Sequence, residues 1–186
     1  MRRTVLVLDR DGVINVESTR DYVRSVSEFE PIAGAIDAIA RLVRAGFPVY
    51  IATNQSGIGQ KLYTEADLDE IHAKLRELVR DAGGEIKAIL YCPHTRDAGC
   101  DCRKPKPGML LEIACLAGVD PTNLVLVGDA ASDHGAAIAA GCAFALVRSG
   151  KGNDTRLLLR DVACFADLAE LADSLVANPD QSAKWH

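Results

Sequence analysis

Thr4-Val5-Leu6-Val7-Leu8-Asp9-Arg10-Asp11-Gly12-Val13-Ile14-Asn15 is the stretch on which the fold turns. Thr4–Leu8 is a short, β-branched and apolar run, as expected of a strand buried inside a sheet. It ends abruptly at an acid. Side chains alternate along an extended chain, so Asp9 and Asp11 can face the same side. Two carboxylates held this close repel each other unless a cation or a shared proton relieves them. Asp-x-Asp alone is common, and solvated acids before a glycine turn would look the same.

Outward from that stretch, further β-type runs appear at Pro48–Ala52, Ile86–Tyr91, Leu124–Val127 and Ala143–Val147. Helical patterns lie between them. Ile36, Ile39, Ala40 and Val43 form one apolar stripe, closed by Gly46; Leu68, Ile71, Leu75 and Leu78 form another. Thr64 and Asp67 approximate a capping box at the start of the second. Met109–Leu116 is apolar nearly all round and reads as a well-buried helix. Asp133–Ala140 is small and Ala-rich, and Leu168, Leu171, Ala172 and Leu175 mark a last amphipathic helix. Strands alternating with helices imply an α/β fold, a Rossmann-like parallel sheet with helices on both faces. In such sheets ligands bind beyond the carboxyl ends of the strands.

Three more polar constellations follow predicted strands. Thr53-Asn54-Gln55-Ser56-Gly57-Ile58-Gly59 offers a hydroxyl, amides and backbone N–H groups in a Gly-rich turn, an anion cradle. Arg103-Lys104-Pro105-Lys106-Pro107-Gly108-Met109 places three cations beside two prolines. Gly128-Asp129-Ala130-Ala131-Ser132-Asp133 offers carboxylates suited to magnesium, which prefers oxygen ligands. Each has a bland alternative: a polar loop, a solvated basic turn, an Asp at a helix start. Together and in this order they resemble the haloacid dehalogenase superfamily, from Val5 to about Gly150.

A narrower likeness, including the Cys/His cluster below, is to the histidinol-phosphatase-like branch and to heptose-bisphosphate 7-phosphatases within it. That resemblance implies a magnesium-dependent phosphatase working through an aspartyl phosphate, in ADP-heptose and lipopolysaccharide precursor synthesis. It implies Asp9 as nucleophile and Asp11 as general acid/base, with Thr53 and Lys104 on the transferring phosphoryl group. Asp9, Asp129 and the backbone carbonyl of Asp11 would hold Mg²⁺, and Arg103 would meet the sugar phosphate. Arg20, Tyr22, Asn54, Gln55 and Ser56 are further substrate-contact candidates from the loops around the site. Ala130 follows Asp129 where some relatives carry Lys, which removes one phosphate contact. The intervals Asp11–Thr53 and Thr53–Lys104 leave no room for a cap domain, so the core is expected to be capless and the site open.

Cys92, His94, Cys100 and Cys102 supply four soft or borderline ligands, the number that tetrahedral Zn²⁺ takes. With every position filled by protein, such a zinc would be structural, pinning the loop that carries Arg103 and Lys104. Cys115, Cys142 and Cys164 lie among apolar residues and read as small core side chains. His72, His134 and His186 read as surface residues.

The 186-residue length suits one domain at residues 1–177, with a zinc loop at 92–102 and a disordered tail at 178–186. A net charge of −5 without a dense Lys/Arg run argues against nucleic acid as partner. The apolar run behind Arg2 and Arg3 is too short for a signal-peptide core, and no stretch suits a membrane span. The expectation is a cytoplasmic monomer acting on a small phosphorylated sugar. Second-phosphate cations would come from Arg20, Lys61, Arg103, Lys106, Arg148 and Lys151, which favours a bisphosphate over histidinol phosphate, the alternative substrate. A catalytically silent, zinc-stapled binding module is a further alternative, opposed by the intact Asp9, Asp11, Lys104 and Asp129.

Overall fold

The computed structural model describes residues 4–18 and 22–185. Six parallel strands form one sheet in the order β3-β2-β1-β4-β5-β6. They are β1 Val5–Leu8, β2 Val49–Asn54, β3 Ile86–Cys92, β4 Leu124–Gly128, β5 Ala143–Val147 and β6 Ala163–Phe165. Five match the expected runs closely; β6 is additional. Thr53 and Asn54 belong to the end of β2 rather than to the loop beyond it.

The alternation along β1 explains why the whole strand is apolar. Leu6 and Leu8 enter a core shared with α1 (Ala35–Arg44), α3 (Glu65–Asp81) and α7 (Leu168–Ala177). Val5 and Val7 enter a second core on the opposite face, filled by Met109, Leu110 and Ile113 of α4 (Gly108–Ala117) and by Ala136 and Ala137 of α5 (Ala131–Ala140). A strand buried on both faces has no polar side to show. Full burial of each Leu contributes about 1.5–3 kcal/mol.

Local signals mostly hold. Asp67 N–H donates to Thr64 Oγ1 at 3.2 Å and Thr64 N–H to Asp67 Oδ2 at 2.7 Å, completing the expected capping box. Two short helices, α2 (Ser56–Gly59) and α6 (Gly152–Leu158), were not expected. Helix α4 is buried on one side only: Leu111, Cys115 and Leu116 are exposed, so Cys115 is not a core residue. The tail is anchored rather than loose. Pro179–Lys184 forms a 3-10 helix, Phe144 N–H donates to Trp185 O at 3.4 Å, and the Trp185 ring meets Phe165 at 5.4 Å.

The chain runs from β1 to β2 and β3 on one side, then crosses to β4 on the other. The carboxyl ends of β1 and β4 therefore flank the point where strand order reverses, where α/β sheets open a crevice. Among the described residues, a 3-10 turn at Val26–Glu28 and α1 join β1 to β2, α2 and α3 join β2 to β3, and no cap intervenes. No helix among them is long and apolar enough to cross a membrane.

Candidate active site

A cavity of about 680 Å³ lies over that crevice, lined by Asp9, Asp11, Thr53, Asn54, Arg103 and Asp129 among others. Asp9 follows β1 and Asp129 follows β4, whose residues pair along the sheet from Val5↔Leu124 to Leu8↔Val127. Register thus brings together two acids 120 positions apart in sequence.

Asp9 Oδ1 accepts from the Arg10 N–H at 2.7 Å and lies 3.0 Å from Lys104 Nζ. Lys104 is 2% exposed, and its ammonium also reaches Asp133 Oδ1 at 2.6 Å and donates to Ala52 O at 2.8 Å. One hydrogen bond and two ion pairs thus surround the ammonium. Burial opposes its charge, but Asp133 and Asp9 outweigh that and raise its pKa above the ordinary lysine value. Asn54 fixes the segment behind it: Nδ2 donates to Lys104 O at 3.0 Å and Lys104 N–H donates to Asn54 Oδ1 at 3.1 Å.

Asp11 is embraced from its inner side. Its carboxylate accepts from Arg10 Nη2 at 3.0 Å, Asn15 Nδ2 at 2.9 Å and Gln55 Nε2 at 2.8 Å. Burial raises its pKa, but Arg10, Asn15 and Gln55 together lower it below the usual carboxylate value. Asp9 and Asp129 behave oppositely. Burial first, then Asp133 and Asp11, push Asp9 up to about 7 against the pull of Lys104. Burial first, then Asp9, pushes Asp129 up to about 8. Two adjacent carboxylates that resist ionisation are a setting in which a cation would be favoured.

Asp9, Asp129 and Asp133 each bring a carboxylate oxygen within 4.8 Å of the others. Asp133 Oδ1 is committed to Lys104, and its Oδ2 accepts the Ala130 N–H at 3.1 Å. Asp9 and Asp129 remain as the pair lining the cavity. Backbone closes in behind Asp129: Lys151 N–H donates to its Oδ2 at 2.8 Å. A Cβ on Gly12, at φ +82°, would overlap the same oxygen. Oxygen donors in a tight cradle suit a small, hard divalent cation.

Cys92, His94, Cys100 and Cys102 converge beside this site. Cys92 Sγ lies 3.6 Å from Cys100 Sγ and 3.2 Å from Cys102 Sγ, and His94 Nδ1 lies 3.3 Å from Cys102 Sγ. Ligands about 2.3 Å (S) and 2.0 Å (N) from one tetrahedral ion would stand roughly 3.5–3.8 Å apart. The cluster is tied to the catalytic face by Gln55 N–H donating to Cys92 O at 2.8 Å and Gly59 N–H to Pro93 O at 2.9 Å. Arg103 Nη1 donates to His94 O at 3.3 Å.

Other expected contacts divide. Asn54, Ser56, Tyr22 and Arg103 line the cavity, with Tyr22 OH held by Gln60 Nε2 at 2.6 Å. Gln55 does not line it: 1% exposed, it points inward to Asp11, Thr53 and Tyr63. Arg20 and His186 lie outside the described residues. Lys61 and Arg148 are exposed away from the cavity, while Lys151 lines it and pairs with Glu17 at 2.6 Å. Arg96 lines it unforeseen; nothing in its spacing set it apart. Lys106, paired with Asp101 at 3.1 Å, lines a neighbouring hollow with Arg96 and Arg103. His72, read as a surface residue, is 7% exposed and touches Arg10.

A Rossmann-like sheet with this carboxylate set at its switch point defines the class: haloacid dehalogenase-type hydrolases. The HAD-hydrolase-like family model matches residues 101–171. The chain is 50% identical over 178 residues to the D-glycero-β-D-manno-heptose-1,7-bisphosphate 7-phosphatase of Pseudomonas aeruginosa, covering 95% of this chain and 99% of that protein. The Neisseria meningitidis enzyme of the same name is 50% identical over 151 residues, 81% of this chain and 80% of that one. The crystal structure of D,D-heptose 1,7-bisphosphate phosphatase from Bordetella bronchiseptica, complexed with magnesium and phosphate, superposes with TM-score 0.88 at 41% identity, covering 94% of this chain and 98% of that one. The chain belongs to the D-glycero-β-D-manno-heptose-1,7-bisphosphate 7-phosphatase family.

Proposed function

We propose that this chain hydrolyses the 7-phosphate of D-glycero-β-D-manno-heptose 1,7-bisphosphate, with Asp9 as the phosphoryl acceptor. The observation that carries the chemistry is Asp9 set 3.0 Å from a buried lysine and beside Asp129 at the cavity floor. The substrate follows from the relatives, which align along nearly the whole chain.

Phosphoryl transfer asks mainly for positioning and charge stabilisation. A carboxylate oxygen of Asp9 forms a bond to phosphorus as the bond to the sugar oxygen breaks, leaving an aspartyl phosphate. Arg10, Asn15 and Gln55 keep Asp11 ionised on its own; the negatively charged phosphate bound beside it favours its protonated form, which gives its proton to the leaving sugar oxygen. It then takes a proton from the water that attacks the aspartyl phosphate, releasing inorganic phosphate and restoring Asp9. Lys104 balances negative charge at Asp9, and Thr53 lines the floor where the phosphoryl oxygens would lie. Asp9, Asp129 and the carbonyl of Asp11 are the groups that would hold Mg²⁺, which supplies positive charge against the phosphoryl oxygens when bound. The Cys92/His94/Cys100/Cys102 cluster would hold a structural Zn²⁺.

Arg96 and Arg103 line the same cavity and can meet the phosphate that does not react. Binding energy from that end can orient the reacting end. The test compares kcat/KM for the heptose bisphosphate, histidinol phosphate and an aryl phosphate. The bisphosphate should win, and Arg103→Ala should narrow its lead over the aryl ester. A win for histidinol phosphate by about tenfold, roughly 1.4 kcal/mol in transition-state binding, would overturn the substrate assignment.

A further inference from the structure

Behind the acid/base carboxylate lies a buried polar cluster that the reaction scheme leaves unused. Arg10 is fully buried although it sits between the two catalytic acids. Its Nη2 donates to both Asp11 oxygens at 3.0 Å and to Gln55 Oε1 at 3.3 Å. Its Nη1 is 3.4 Å from His72 Nε2. Its Nε has no hydrogen-bond partner. Tyr63 OH donates to Gln55 Oε1 at 2.6 Å, turning the Gln55 amide so that Nε2 reaches Asp11 at 2.8 Å and Thr53 Oγ1 at 2.8 Å.

A guanidinium is flat and rigid, so anchoring one of its terminal nitrogens fixes where the other points. His72 is the anchor on the Nη1 side. Burial and the neighbouring Arg10 push its pKa down to about 3, so near neutral pH it is uncharged. Facing a guanidinium that has only donors, Nε2 acts as the acceptor and Nδ1 carries the proton. We propose that His72, 61 residues beyond Asp11 in sequence, is a positioning residue for proton transfer: through Arg10 it sets where the Asp11 carboxylate stands. Tyr63 does the same from the other side through Gln55. The inference rests on the reading of Asp11 as general acid/base.

Leaving-group chemistry provides the test. A sugar alkoxide needs a proton as it departs, whereas a nitrophenolate does not. Misplacing Asp11 should therefore slow phosphorylation of Asp9 by an alkyl phosphate far more than by 4-nitrophenyl phosphate. In single-turnover experiments with magnesium, His72→Leu should slow phosphorylation by the sugar bisphosphate about tenfold or more, and by 4-nitrophenyl phosphate less than threefold. KM for the sugar should move less than twofold. His72→Gln, which restores an acceptor, should recover most of the loss. Tyr63→Phe should show the same leaving-group split in milder form, and it stands in if His72→Leu does not fold. Equal losses on both substrates, or an unaltered sugar rate in a folded variant, would overturn the proposal while leaving the phosphatase reading intact. A wild-type chain inert toward every phosphate ester would overturn both.

Discussion

Asp9 sits where its own charge is disfavoured, and the reason lies in its neighbours. Burial and the carboxylates around it push it up to about 7, and Asp129 up to about 8. Both lie above the unfolded value, so between about pH 4 and 8 these two groups hold more protons in the folded, magnesium-free protein than in the unfolded chain. That contribution to stability is present at low pH and is lost as pH rises through the folded values. His72 acts in the opposite sense: its folded pKa is depressed, so its contribution is lost as pH falls below about 6.5. Above about pH 7 the carboxylates dominate. With magnesium dialysed away and zinc left in place, Tm should fall between roughly pH 7 and 8.5, and added Mg²⁺ should raise Tm more at the upper end. A magnesium effect independent of pH would argue against this pair as the site. Asp9→Asn removes the acceptor oxygen's charge but keeps its shape; turnover should vanish, while Tm without magnesium at high pH should hold or rise. Gly12→Ala should raise the Mg²⁺ needed for half-maximal activity by about tenfold or more, because the added carbon meets Asp129 and strains a positive-φ residue.

At the scale of elements, the loop from Cys92 to Cys102 connects the metal-binding chemistry of sulfur to the placement of a lysine. It is fastened to the end of β2 and to α2 through Cys92 O and Pro93 O, and to the start of α4 by Gly108 N–H donating to Asp101 O at 3.2 Å. Purified protein should contain about one zinc per chain. Cys100→Ser should lower Tm by several degrees and reduce kcat, since Lys104 loses its support; undiminished stability in a zinc-free protein would refute the structural role. Much of this was legible. Strand ends carried the acids, and four soft or borderline ligands between Cys92 and Cys102 marked the cluster. His72 was legible too but misread: with Leu68, Ile71 and Leu75 it completes the i, i+3, i+4, i+7 face of α3, so its burial was written in the stripe. Cys115 was obscured for the opposite reason. Helix α4 is apolar on nearly every side, and such a pattern cannot say that Leu111 and Cys115 face out. Strand β6, at three residues, is too short for any period to show, and α6 exposes Leu157 and Leu158.

Across the whole molecule, one feature could not be read from local pattern. The 3-10 helix Pro179–Lys184 and Trp185 close against the β5–β6 side of the sheet, where Trp185 meets Phe165. Trp185 is the single tryptophan, so its emission reports that contact. Trp185→Ala should cost about 1–2 kcal/mol, a Tm drop of roughly 2–8 °C for a chain of this size, with phosphatase activity unchanged at room temperature. An unchanged Tm would mean that the tail contributes nothing to stability.

The order of strands has a consequence for how the protein comes into being. β1 is made first but lies between β2 and β4, and its edge toward β4 has no partner until Leu124–Gly128 has been synthesised. Asp9 likewise waits for Lys104, and Asp129 waits for the Lys151 amide. A growing chain therefore carries an apolar, half-paired strand for more than a hundred residues of translation, the kind of intermediate that chaperones guard. A nascent chain that has not reached Lys151 lacks the amide that holds Asp129, so its cavity floor is assembled only after about four-fifths of these residues have been made.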